Sequence, residues 1–279
     1  MSGTALVLGG GGPVGGAWLT GVLAGLTEAG IDLHRADVVI GTSAGAVFGS
    51  RLLGGVPAAD LYERQLSGAD AVRLPVTARQ MALFLWAVLG SRGPQQSIER
   101  LARAALRART GPEAEVFDTV GALLGDVRNW PQRELRITAV DAETGRLEVF
   151  DSHSGVTLLE AVAASCAVPV VWPPVTVAGR RWVDGGSRST ANLQLARGYR
   201  RVLAVVPVPR AVGPHPSASQ QAAELSADGT RVILLSPGRV ARRVMGRNMT
   251  DDTRRPAAAR AGHAQASALA PSVADVWQG

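Results

Sequence analysis

The chain is predicted to form one α/β domain with a mainly parallel sheet covered by helices on both faces. Three observations carry this. A short apolar strand, Ala5 to Leu8, runs into a glycine-rich stretch, Gly9 to Gly16, and then into an amphipathic helix. A second apolar strand, Asp37 to Ile40, comes after that helix and completes a βαβ unit with parallel strands. Further apolar runs at Val202 to Val206 and Val232 to Leu235 recur near the C-terminus, and no linker composition or internal repeat divides the 279 residues.

The first helix is expected from about Ala17 to Ala29, with Leu19, Val22, Leu23 and Leu26 at helical spacing and Gly30 as its C-terminal stop. After the second strand comes a helix from Ala44 to about Leu53, small-residued at its start. A helical insertion is expected over about 57–126, with helices at Asp60 to Leu66, Thr77 to Leu89, Ser97 to Arg109 and Glu113 to Leu124. The run from Met81 to Leu89 is apolar all round and reads as a packed helix or as a wall or lid for an apolar ligand. Strands resume at Leu135 to Val140 and Leu147 to Phe150, joined by a turn-rich link. Leu158 to Ala164 is a helix, and Pro169, Pro173 and Pro174 break up the next segment. Val175 to Val177 and Arg181 to Val183 form a hairpin around Gly179. A helix near Ala191 to Ala196 precedes the last two strands, and a helical tail covers about 250–279.

Composition excludes several classes. A hydrophobic fraction of 46% excludes a disordered chain. No apolar run is long enough to span a bilayer, and the opening Met1-Ser2-Gly3-Thr4 lacks a basic, apolar leader, which predicts a cytoplasmic protein. The single cysteine, Cys166, excludes an internal disulfide. Every basic residue other than histidine is arginine, and the net charge is +6, which suits anionic surfaces. Aromatics at 4% and the lack of a nucleic-acid motif argue against a nucleic-acid partner. The arginines Arg239, Arg242, Arg243, Arg247, Arg254 and Arg255 offer a contact for anionic lipid, making peripheral membrane association an expectation.

Chemistry centres on Gly41-Thr42-Ser43-Ala44-Gly45, a serine flanked at minus two and plus two by glycine between a strand and a helix. That is the nucleophile-elbow pattern: the turn is too tight for a Cβ at Gly41 or Gly45, and it presents the hydroxyl at the strand's carboxyl end. Ser43 is therefore the candidate nucleophile.

Gly10-x-Gly12-x-x-Gly15 formally matches a dinucleotide fingerprint, but the second strand ends in the elbow instead of the acidic residue that would hold a ribose. The catalytic reading fits better, since backbone N–H groups in a glycine turn can stabilise an oxyanion. Pro13 has no N–H, so Gly11, Gly12 and Val14 are the candidate donors, joined by Ala44 after the serine.

The serine needs a base. His34 lies on the wrong side of the sheet, His153 and His215 sit in polar or proline-flanked turns, and His263 is in the tail. Asp184 ends a strand and is followed by Gly185-Gly186, which permit a sharp turn beside another group. Three readings stand at this point: a Ser-Asp pair, a Ser-His-Asp triad, and a non-catalytic lipid- or nucleotide-binding module using the glycine loop.

These residues resemble the patatin-like phospholipase family. Gly10-Gly11-Gly12-Pro13-Val14-Gly15 is similar to its oxyanion loop, Gly41 to Gly45 to its elbow, and Asp184-Gly185-Gly186 to its Asp-Gly-Gly/Ala motif. Ala164 to Pro169 and Trp172-Pro173-Pro174 resemble the segment before that aspartate. The resemblance covers about residues 4–210 and implies a three-layer α/β/α fold. It also implies a Ser43–Asp184 dyad and hydrolysis of lipid acyl esters or small esters with no metal or cofactor. Val14 departs from the pattern, because many members carry Arg or Lys there.

Overall fold

The computed structural model describes residues 2–72, 76–88, 91–211 and 213–278. Among these residues eight strands form one sheet. Five of them, in the order β3-β2-β1-β7-β8, are parallel: β3 (Glu134–Asp141), β2 (Val38–Gly41), β1 (Thr4–Leu8), β7 (Arg201–Val205) and β8 (Arg231–Leu235). Three antiparallel strands extend it around β3. The β5 (Val175–Val177) and β6 (Arg180–Asp184) hairpin pairs through β6, and β4 (Leu147–Phe150) forms the expected hairpin with β3. The sheet is thus mixed, with a parallel core.

Alternation along the strands explains the layers. Leu6, Leu8, Val39, Leu135, Ile137, Leu203 and Val205 point to one face, into the main core. That core is built with α1 (Gly12–Glu28), α2 (Ala44–Leu53), α3 (Ala58–Ser67), α6 (Glu113–Leu124), α7 (Leu158–Cys166), α9 (Arg239–Met245) and α10 (Arg255–Trp277). Ala5, Val7, Val38, Ile40, Val202 and Ala204 point the other way, against α8 (Ala218–Ala227) and a 3₁₀ turn at Leu193–Ala196. On that second side α5 (Pro94–Arg107) packs Ile98 and Ala105 against Val140 and Val183. The result is the three-layer arrangement, with unequal outer layers. Among the described residues no helix is long and apolar enough to cross a membrane.

Two expectations change. The short segment before β7 is a 3₁₀ turn, entered through Asn192 in the left-handed region (φ 48°), instead of an α-helix. More consequentially, α1 begins at Gly12, five residues earlier than glycine content suggests. Pro13 at the first turn favours a helix start. Gly15 and Gly16 are then helical residues stripped of side chains by packing: a Cβ on Gly15 would lie 2.9 Å from Pro207 Cβ, and one on Gly16 2.6 Å from Phe48 Cε2. Within the insertion, α4 (Ala78–Val88) matches the expected apolar helix, whose last residue, Leu89, lies outside the described residues.

Candidate active site

Leu8, Gly41, Val205 and Leu235 lie level across the parallel strands, so the chain leaves β1, β2, β7 and β8 at one end of the sheet. The glycine loop and the elbow both stand at that end. Between β2 and α2 only Thr42 and Ser43 make the turn. Ser43 adopts φ 53° and ψ −119°, a backbone conformation that costs of order 1–3 kcal/mol for a residue with a Cβ. Its neighbours hold it there. The Ser43 N–H donates to Ser165 Oγ at 2.9 Å, and its carbonyl accepts from the N–H groups of Ala46 and Val47 at 2.8 and 3.2 Å. A Cβ on Gly41 would sit 2.6 Å from Ala46 Cα, and one on Gly45 would strike the Leu8 carbonyl. The spacing of the motif is therefore steric: both flanking positions touch backbone.

A second set of contacts joins the elbow to the aspartate. Thr42 Oγ1 and Thr138 Oγ1 share a hydrogen bond of 2.8 Å. Asn192 Nδ2 donates to Thr42 Oγ1 at 3.0 Å and to Ser189 O at 2.7 Å. A Cβ on Gly185 would collide with Thr138, so glycine there lets the turn after β6 close onto β3. Asp184 caps that turn, accepting the Gly186 N–H at 2.6 Å, and its own N–H donates to Ala167 O at 2.9 Å.

Asp184 is only 5% exposed, and burial pushes its carboxyl up to about 6. Hydrogen bonds from the Ser43 hydroxyl and the Gly186 N–H act in the opposite direction without cancelling burial. Ser43 and Asp184, paired only by motif in the sequence, are thus close enough for the serine hydroxyl to act on the carboxyl. At Cys166, burial first and then the nearby Asp184 charge drive the thiol far above the usual range, so it stays protonated.

An apolar cavity opens beside Ser43, with Asp184 outside its lining. Val47, Phe48, Val116, Val120, Leu123 and Trp172 line it, with Gly12, Pro13, Ser43 and Ala44 at one end. From the helical insertion, α6 and Val72 contribute to the wall, and α4 and α5 do not. Asp70 and Arg255 form its polar side. Asp70 accepts from Arg51 Nη1 at 2.7 Å, Arg64 Nε at 2.8 Å and Gln65 Nε2 at 2.9 Å. Arg255 donates to Gln65 Oε1 at 2.6 Å, to Asp252 Oδ1 at 3.1 Å and to the Asp70 carbonyl. Of the six arginines from Arg239 to Arg255, Arg255 is buried in this network and Arg254 pairs with Asp251 at 3.0 Å, while Arg239, Arg242, Arg243 and Arg247 are exposed.

The glycine loop requires one correction among the candidate oxyanion donors. The Val14 N–H donates to Met249 O at 3.1 Å and is already occupied. Gly10 N–H donates to Thr190 O at 2.8 Å. Gly12 and Ala44 are the first residues of α1 and α2, where N–H groups have no intrahelical acceptor, and Gly11 precedes Gly12 at the cap. The Val14 side chain is fully buried, so the loop brings no cation to the site.

None of the four histidines lines the cavity. His34 lies before β2, at the opposite end of the sheet. His153 donates its N–H to Asp151, and His263 pairs with Glu28 at 2.7 Å and stacks on Tyr62. His215 is buried, and desolvation lowers it to about 4. Sequence reasoning missed Thr138, Asn192 and the role of Ser165: each comes from a distant segment, and none carries a local motif.

An elbow serine beside a buried carboxylate at the carboxyl end of a parallel sheet defines a serine-hydrolase type of α/β protein. The chain belongs to the patatin-like phospholipase family, whose model matches residues 6–197. It is accordingly a hydrolase of a family that acts on lipid acyl esters. The fold is similar to that of VipD from Legionella pneumophila, at a TM-score of 0.50 and 14% identity, over 98% of this chain and 67% of that one. The type III effector protein ExoU is matched at a TM-score of 0.39 and 12% identity, over 97% of this chain and 53% of that one. No curated protein matches the sequence.

Proposed function

We propose that the chain cleaves acyl esters of lipids with Ser43 as nucleophile and Asp184 as general base. The observation that carries this reading is an elbow serine beside a buried carboxyl that burial raises to about 6. A carboxylate near its ordinary value is a weak base toward a hydroxyl, and raising it narrows that mismatch while leaving it ionised at neutral pH. Asp184 accepts the Ser43 proton as Oγ attacks the ester carbonyl. The N–H groups of Gly11, Gly12 and Ala44 receive the oxyanion, and with Val14 in place of a cation the stabilisation comes from backbone alone. The proton passes from Asp184 to the leaving alkoxide, and the alcohol departs. Water then attacks the acyl-serine with Asp184 again as base, releasing the acid and restoring Ser43.

The apolar wall from Val47 to Trp172 suits an acyl chain. Such substrates reside in bilayers or micelles, and a positively charged chain suits peripheral contact with an anionic membrane from a cytoplasmic location. The reading is tested with p-nitrophenyl esters of increasing chain length, then phospholipids. Wild type is expected to hydrolyse them, Ser43→Ala to be inactive, and Asp184→Asn to lose about 10²–10⁴-fold in kcat. Full activity in Asp184→Asn rejects the dyad.

A further inference from the structure

The helical insertion carries a second feature, away from the Ser43 cavity. Between α4 and α5 runs a groove lined by Leu83, Trp86, Arg100, Arg103, Ala104 and Arg107. Trp86 is 64% exposed, the one large aromatic so exposed among the described residues. Arg100 lies over its ring at 4.7 Å and donates to its carbonyl at 3.0 Å, which fixes the indole beside the arginines. Arg100, Arg103 and Arg107 are spaced i, i+3 and i+7 on the face of α5 opposite the buried Ile98, Leu101, Ala102 and Ala105. Among the described residues no carboxylate lines the groove, and neither Arg103 nor Arg107 forms an ion pair. Ile98 and Ala105 pack on Val140 of β3 and Val183 of β6, so α5 is anchored beside the strand that carries Asp184.

We infer that this groove is a docking surface for an anionic phospholipid bilayer. An exposed indole between apolar residues and a row of guanidinium groups matches the bilayer interface. The ring lies among head groups, the apolar floor of Leu83 and Ala104 meets acyl carbons, and the arginines meet lipid phosphates. The charges are complementary, with cations and no acid in the groove facing anionic head groups. The inference rests on the lipid-hydrolase reading of the Ser43 site, for which docking delivers the protein to its substrate surface.

The test is co-sedimentation of the full chain with vesicles of equal parts phosphatidylglycerol and phosphatidylcholine, or of phosphatidylcholine alone, at low and high salt. Binding is expected only to the anionic vesicles, and is expected to weaken with salt. Each arginine near an anionic surface is worth about a fivefold change in partitioning, so Arg103→Gln with Arg107→Gln should weaken it about 25-fold. Trp86→Ala is expected to weaken it as well. Both variants are expected to keep the wild-type melting temperature and hydrolysis of a soluble p-nitrophenyl ester. Wild type that ignores anionic vesicles, variants that bind them like wild type, or binding of duplex DNA in place of vesicles would each overturn the docking surface. If wild type still cleaves the soluble ester in those cases, the hydrolase reading survives. Vesicle binding without any ester hydrolysis leaves the surface standing and removes the hydrolase.

Discussion

Ser43 and Asp184 meet at one level of β3, which acts as the ruler for both. Gly41 of β2 pairs with Ile137, and Asp184 of β6 pairs with Ala139. Two residues past Gly41 the chain reaches Ser43, and two residues past Ile137 it reaches the partner of Asp184. One strand, paired in parallel with β2 and antiparallel with β6, thus brings together two residues from distant parts of the sequence.

The raised Asp184 carboxyl is expected to set the acid limb of activity. As the proposed base it must be ionised, so kcat/KM should rise about tenfold per unit up to about pH 6 and then level. A pH profile with a soluble ester between pH 4.5 and 8.5 measures this. A limb near pH 4 would show that burial does not raise this carboxyl.

The same group links stability to pH. Its folded value of about 6 lies above the ordinary 3.8, so between about pH 4 and 6 the folded state keeps a proton that the unfolded state releases. Stability therefore falls as pH rises through that window, and the cost, about 3 kcal/mol at most, persists above it. Asp184→Asn mimics the neutral acid. By denaturant titration it should be more stable than wild type at pH 8 by up to that amount, with the difference vanishing at pH 4. Equal stabilities at pH 8 would contradict a strained, buried carboxylate.

Ser165 is a positioning residue for the elbow. Removing its hydroxyl leaves the Ser43 N–H without its acceptor at 2.9 Å, a cost of about 1–3 kcal/mol in a buried setting. Ser165→Ala should lower kcat about 10-fold or more while KM stays within about twofold, because the change acts on the attacking group and leaves the apolar wall intact. Steady-state kinetics separate the two, and an unchanged kcat would remove Ser165 from this role.

Much of the fold could be read because apolar runs and glycine turns alternate plainly, and the elbow, loop and aspartate each have local signatures. Other features depend on tertiary contact. Glycines at 15 and 16 read as loop, yet they are helical, because Pro207 and Phe48 crowd their faces. The occupied Val14 N–H depends on Met249, far along the chain, and Arg255 read as a surface charge until Gln65 and Asp70 closed around it. The Thr42–Thr138–Asn192 contacts have no sequence pattern at all, since three separate segments supply them.

Gly45 tests the steric argument for the elbow. With any Cβ directed at the Leu8 carbonyl, Gly45→Ala must push α2 off β1. Thermal melting should show a loss of several degrees or failure to fold, and a stable, active Gly45→Ala protein would refute the close approach.

Attack of Ser43 on the acyl carbonyl, activated by Asp184, is tested by reaction with a fluorophosphonate followed by mass spectrometry of the digested protein. One phosphonyl adduct is expected, on the Ser43 peptide, absent from Ser43→Ala and strongly slowed in Asp184→Asn. An adduct on another residue, or equal labelling of Ser43→Ala, would contradict it.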